Sequence, residues 1–252
     1  MPTPDSPTYL QLDRLIEQID EPNKRFARAA YDLYRTEFET AAGSKSKHQA
    51  WIGGYIDHVT ETMNIARLLY QAFSSTGRLL GFTLSDALLV LFLHDLEKAF
   101  AYSGPDGVQI TQDKHHRKVF RAQKIQELRF DLTDEHQNAL LYVEGEGDDY
   151  DPHERVMGDL AAFCHLCDTW SARGWHQFPL PFNDPWKGAQ QSQYAGNIHC
   201  THCGWIGQRA TLKTQSERSG GQHWISESYI QCPSCTHVLE RWESDSYLNY
   251  PG

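Results

Sequence analysis

Several things are missing from this chain, and each absence removes a class of explanation. No apolar stretch approaches the roughly 18 residues that span a bilayer, so no membrane segment is expected. The leading Met-Pro-Thr-Pro-Asp-Ser-Pro has neither a basic nor an apolar region, which argues against a secretory signal and for a cytoplasmic protein. Positive charge is scarce: 23 Lys and Arg stand against 33 Asp and Glu, a net charge of −10. The deficit lies in residues 1–186, with 18 basic against 28 acidic side chains, whereas 187–252 carry 5 of each. An acidic body is a poor sequence-independent partner for duplex nucleic acid, because neutralising phosphates takes Lys and Arg. A small phosphorylated substrate held by a metal and a few local cations remains compatible. Repeats of solenoid length and long low-complexity tracts are absent too. The six cysteines include no isolated one: they form Cys-x-x-Cys pairs at 164/167, 200/203 and 232/235. Without a secretory signal, such pairs read as metal or redox chemistry before structural disulfides.

What is present is a helical texture that stops. The 252 residues, 40% hydrophobic, can hold one large domain or a domain plus a small module. Helical periodicity covers 9–40, continues from Gly54 to about Tyr70, and returns in the run Ala87–Leu93 behind a capping box at Thr83-Leu84-Ser85-Asp86. Further helices are expected over about 114–128, after Thr133, and over about 154–172, with a turn at 104–107 that could tip a hairpin. Pro179, Pro181 and Pro185, then a stretch rich in Gln and Ser, read as a linker. Beyond it, short β-branched and aromatic runs alternate with Gly and Cys pairs. The expectation is a mainly α protein, a helical bundle over 1–190 followed by a small β-rich module over 191–252.

Candidate chemistry sits on the helices. His94-Asp95 ends the most apolar run in the chain, where an unpaired charge is costly. His58 lies on an earlier helix and Asp168 on a later one. Neutral imidazole with carboxylate suits a divalent metal of borderline hardness. Lys98 stands three residues after Asp95 and four after His94, so all three can face one cavity on a helix. A helix-terminal Lys answering the macrodipole is the plainer account of Lys98.

At these residues the chain resembles the HD-domain metal-dependent phosphohydrolases, whose pattern is a His, a His-Asp pair some tens of residues on, and an Asp on a later helix. His58, His94-Asp95 and Asp168 match it in order and spacing. The segment from Lys47-His48 through Gly53-Gly54 to His58 is similar to the HH-x-Y-x-GG-L-x-x-H motif of one branch, which includes exonuclease- and phosphodiesterase-like members. Leu93-His94-Asp95-Leu96-Glu97-Lys98 is similar to HD-x-x-K. The resemblance covers roughly residues 45–175. It implies an HD-type bundle in which His58, His94, Asp95 and Asp168 hold a divalent metal (Mn, Fe, Co, Ni, Mg or Zn). Two-metal members carry further histidines between the pair and the final Asp, where this chain has Tyr142-Val143-Glu144-Gly145-Glu146. His116, beside His115, could supply an extra ligand, although a surface pair is the preferred reading. Glu144 reads equally as ligand or acid/base and as part of a solvated loop. His136, His153 and His176 are read as surface residues.

The other cysteines divide sharply. Cys200-Thr-His-Cys203 and Cys232-Pro-Ser-Cys235 are knuckles that together offer four thiolates, a closed tetrahedral set for structural zinc. This resembles a zinc ribbon. Cys164 and Cys167, mid-helix among apolar neighbours, read as buried small hydrophobes.

Two functions follow as expectations. The leading one is a metal-dependent phosphohydrolase, phosphatase or phosphodiesterase, cleaving a phosphoester of a nucleotide by metal-activated water. In it Lys98 offsets charge on the phosphate, and His48 and Glu144 position substrate or move protons. The other is a nucleic-acid- or protein-binding adaptor in which the ribbon is the working module. Nucleic acid is the less favoured partner, and the oligomeric state is open.

Overall fold

A run of seven apolar residues such as Ala87–Leu93 is satisfied only by burial on every side. In the computed structural model it is. The structure describes residues 8–44, 47–102, 114–179, 186, 189, 197–200, 202–203, 206–208, 214–219 and 223–247. The chain divides into two compact units, Met1–Tyr194 and Ala195–Gly252. The first contains α1 (Leu12–Ile16), α2 (Asn23–Leu33), α3 (Arg35–Thr40), α4 (Gly54–Ser74), α5 (Leu84–Leu93), α6 (Leu96–Ala101), α7 (Lys114–Glu127), α8 (Asp134–Tyr142) and α9 (Asp159–Thr169). A single turn of 3₁₀-helix at Gly147–Asp149 precedes α9, and a π-helical turn at Trp170–Gly174 follows it. The protein is mainly α.

Helix α5 is the axis of this unit, with α4, α8 and α9 packed on it. Every side chain from Ala87 to Leu93 is buried. Its start is fixed by the capping box read from the sequence: Thr83 Oγ1 accepts from the Asp86 amide, and the Asp86 carboxylate accepts from the Thr83 amide at 2.7 Å. Thr133 opens α8 in the same way, with His136 as the reciprocal partner. His136 is not the surface residue expected. It is buried, and its Nε2 lies 3.0 Å from Asp86 Oδ1, tying the starts of α5 and α8 together.

The 9–40 periodicity is carried by three helices, divided near Pro22 and at Tyr34. Two readings need correction. The last helix begins at Asp159, not near 154, because 147–158 is spent on a polar loop. Most important, His94, Asp95 and Lys98 do not share one helix. His94 is the C-cap of α5, and Asp95, at φ −121° and ψ 20°, is the N-cap of α6. Arg121 on α7 accounts for the break. Its guanidinium is buried and donates to the carbonyls of His94 and Leu140, answering acceptors that a helix end leaves unpaired. The expected turn at 104–107, and Pro181, Pro185 and 190–196 of the expected linker, lie outside the described residues.

The second unit is built of antiparallel hairpins. Strands β1 (Asn197–His199) and β2 (Ile206–Gln208) pair in one sheet, and β3 (Thr214–Ser219), β4 (His223–Gln231) and β5 (Val238–Tyr247) form another in the order β3-β4-β5. Among the described residues, no helix is long and apolar enough to cross a membrane.

Candidate metal centres

The helical site begins with a backbone that has no room for a side chain. Gly53, at φ +78°, and Gly54 start α4, and a Cβ on Gly54 would lie 1.7 Å from the Gln49 carbonyl oxygen. That contact lays the 43–53 loop against the helix. Gln49 then bolts the loop to the chain after α9. Its amide donates to the His176 carbonyl at 2.8 Å, and its side chain donates to Ser171 Oγ at 3.3 Å and to the Trp175 and Phe178 carbonyls at 3.4 Å. His48, one residue earlier, is thereby set with its ring 4.7 Å from that of His58.

His58, His94 and Asp168 each bring a donor atom within 4.8 Å of the others, and Asp95 lies against the two histidines. His58 Nε2 lies 3.1 Å from Asp168 Oδ1, 3.5 Å from Asp95 Oδ2 and 3.3 Å from His94 Nε2. His94 Nε2 lies 3.3 Å from Asp95 Oδ2 and 3.7 Å from Asp168 Oδ1. Both imidazoles are buried. Their far nitrogens are held: His94 Nδ1–H donates to the Leu91 carbonyl at 2.7 Å, and His58 Nδ1 meets Ser171 Oγ at 3.0 Å. Such outer bonds turn the Nε2 lone pairs inward, as metal-binding histidines require. Ser171 is buried within the π-helical turn closed by the Trp175 amide on the Trp170 carbonyl at 3.0 Å.

The donor set fits a divalent cation. Metal–ligand distances of about 2.0–2.2 Å imply donor–donor separations of about 3.0–3.5 Å, close to those found. Two imidazole nitrogens facing each other at 3.3 Å share either a proton or a cation. Burial and the neighbouring charges set the titration of the cluster. Burial opposes charge on His94, but Asp95 and Asp168 outweigh it and lift its pKa to about 9. Burial keeps His58 below its ordinary value despite Asp168 and Asp95. For Asp168 and Asp95 burial favours the acid, yet the surrounding imidazoles, joined at Asp95 by Lys98, hold both carboxyls below the usual range.

Lys98 Nζ lies 2.5 Å from Asp95 Oδ2, so the cation anticipated at the site is present but already paired. The remaining expectations divide. His48, Glu144 and Asp168 line one cavity of about 630 Å³. His48 donates from Nδ1 to Gln49 Oε1 at 3.0 Å, and burial, with the charges of His58 and Lys98, pushes its pKa down to about 3. Glu144 is exposed at the cavity wall. His116 is not brought to the cluster: it is exposed on α7, its ring 6.1 Å from that of His115. The cavity adds Lys47, His165, Thr169 and Arg173, to which the sequence assigned no role, and His176, read as a surface residue and exposed at the cavity wall. For His165, Thr169 and Arg173 the signal was spacing, since with Asp168 and Ala172 they recur every three to four positions. His165 Nδ1–H donates to the Val143 carbonyl at 2.7 Å, which leaves its Nε2 for the cavity.

The other cysteine-rich site forms inside the C-terminal unit. Cys200 and Cys203 occupy the turn between β1 and β2, and Cys232 and Cys235 the turn between β4 and β5. All four sulfurs lie within 4.8 Å of one another, with Cys200–Cys235 at 3.7 Å and Cys203–Cys232 at 3.6 Å. No disulfide joins them. A zinc–sulfur distance of about 2.3 Å gives a tetrahedral edge of about 3.8 Å, so the four thiols sit where a Zn²⁺ ion would hold them. The Cys232 amide donates to the His237 carbonyl and the Thr236 amide to the Cys232 carbonyl, each at 2.8 Å, closing the second knuckle. Cys164 and Cys167 belong to neither site; both are buried, and desolvation raises their pKa values well above that of a free thiol.

Comparison with family models, with curated proteins and with solved structures gives no match.

Proposed function

We propose that the helical unit is an HD-type metal-dependent phosphohydrolase acting on a phosphoester, a nucleotide above all, and that the C-terminal unit is a zinc-ribbon module. The observation that carries this reading is the convergence of His58, His94 and Asp168, with Asp95 against the two histidines, beside a cavity with basic residues in an otherwise acidic protein. When bound, a divalent metal supplies water activation at neutral pH and neutralises charge on the phosphoester.

The chain's own residues do the rest. His58 and His94 present Nε2, their orientation fixed by Ser171 and Leu91. Asp95 and Asp168 complete the ligand set. Lys98, held on Asp95, keeps that carboxylate ionised and is within reach of a phosphate oxygen bound beside it. His48 is neutral at physiological pH and offers Nε2 as an acceptor, so it positions or deprotonates rather than donates. Proton delivery to the leaving group falls to Glu144 or His165 on the cavity wall.

The test is a panel of nucleotide monoesters, anhydrides and cyclic diesters assayed with Mn²⁺, Co²⁺, Ni²⁺ and Mg²⁺. One class should be turned over by wild type and by neither His94→Ala nor Asp95→Ala at equal metal loading. Turnover retained in either variant would remove the assignment.

A further inference from the structure

The cavity beside the metal cluster carries more positive charge than one reacting phosphate requires. The whole chain has a net charge of −10, yet the wall includes both Lys47 and Arg173. The carboxylates there are Glu144 and Asp168, and Asp168 is committed to the histidine cluster. Among the described residues, neither Lys47 nor Arg173 has an ion-pair partner, unlike Lys98, Arg121 and Lys124. Cations left unpaired in a cavity of an acidic protein are free to meet an anionic ligand.

The two are also held in place. Lys47 precedes His48 and Gln49; Arg173 lies in the π-helical turn, two residues after Ser171. Gln49 bonds across to Ser171, Trp175, His176 and Phe178, so both cations stand on segments locked together by one side chain and its amide. A cavity of about 630 Å³ also falls within the range of roughly 300–1,000 Å³ that takes a ligand of nucleotide size.

We propose that Lys47 and Arg173 form a second anion subsite that grips a phosphate other than the reacting one, so that the substrate is a phosphoester carrying at least two phosphate groups, such as a nucleoside di- or triphosphate. This rests on the phosphohydrolase reading. Arg173 supplies a planar fork that matches two phosphate oxygens, and Lys47 a point charge. His176 also lines the cavity and can donate a ring N–H.

The experiment is calorimetric binding of inorganic pyrophosphate and of inorganic phosphate to the full chain at fixed metal loading, with wild type, Lys47→Ala/Arg173→Ala and Arg173→Lys. Both side chains are exposed, so the variants should fold, and circular dichroism checks that they do. Wild type should prefer pyrophosphate by about tenfold or more, the double variant should lose most of that preference, and Arg173→Lys should keep part of it. An unchanged preference in the double variant, or none in wild type, overturns the subsite. The two readings fail separately. A preference lost in the variant while wild type hydrolyses no phosphoester removes the hydrolase and leaves the subsite; hydrolysis with an unchanged preference does the reverse.

Discussion

At the scale of single residues, the site is governed by who faces whom at about 3 Å. Lys98 is the clearest case. It is bound to Asp95, and in the proposed reaction it would also meet the anion that arrives beside that carboxylate. Lys98→Ala should lower kcat/KM by about 10²-fold, near the cost of removing one electrostatic contact from a reacting centre. Metal content should stay close to wild type, because His58, His94 and Asp168 remain. If the variant loses thermal stability alone and keeps its kinetics, Lys98 is a helix-terminal charge. The residues that would bind metal were legible in the sequence because a His-Asp pair at the end of an apolar run has few harmless explanations. Ser171, Gln49 and Arg121 were not. Each is common and polar, and becomes informative only once the fold puts it behind His58, under His48 or on the His94 carbonyl. The burial of His136 was hidden for the same reason: its partner, Asp86, is 50 residues away.

At the scale of elements, the junctions hold the candidate site together. The capping boxes at Thr83 and Thr133 could be read from residue type and spacing, since a cap is a local event. The break between α5 and α6 could not, because it depends on Arg121 from another helix. The pair Gly53-Gly54 shows the intermediate case. The resemblance brought it into view, but its physical reason is the close approach of the Gln49 carbonyl to Gly54. Gly54→Ala should therefore cost about 2–3 kcal/mol or more, read as a fall in the urea midpoint, since backbone rather than a flexible side chain must yield. The same change should loosen the 43–53 loop and raise KM, because that loop carries Lys47 and His48. A variant with wild-type stability would show that the loop shifts without loss and that the junction is not a fixed support.

At the scale of the whole molecule, two candidate metal centres of opposite character lie in two units. Composition alone located the change of texture within a few residues of where the units divide, since charge, Gly and Cys content all shift there. Four thiolates leave no open position, and with so few apolar residues in the unit a zinc held there would supply much of the folding free energy. Cys235→Ser should release that zinc and disorder the C-terminal hairpins, seen as lost amide protection from about residue 197 onward, while the helical unit keeps its circular dichroism. Hydrolysis of a small nucleotide should survive, because no residue of that unit enters the proposed catalytic set. Activity lost with the helical unit still folded and loaded would assign the hairpins a part in catalysis.

The central claim, that the His/Asp cluster is an exchangeable metal site distinct from the cysteine site, is tested most directly by counting metal. The measurement is metal per chain by mass spectrometry after mild EDTA treatment and reloading with Mn²⁺ or Co²⁺, for wild type and for Asp168→Ala. Wild type should fall to about one zinc per chain on chelation and regain at least about one further metal on reloading, whereas Asp168→Ala should stay near one throughout. A wild-type chain that never holds more than the cysteine-bound zinc, or an Asp168→Ala chain that reloads as fully as wild type, would contradict it.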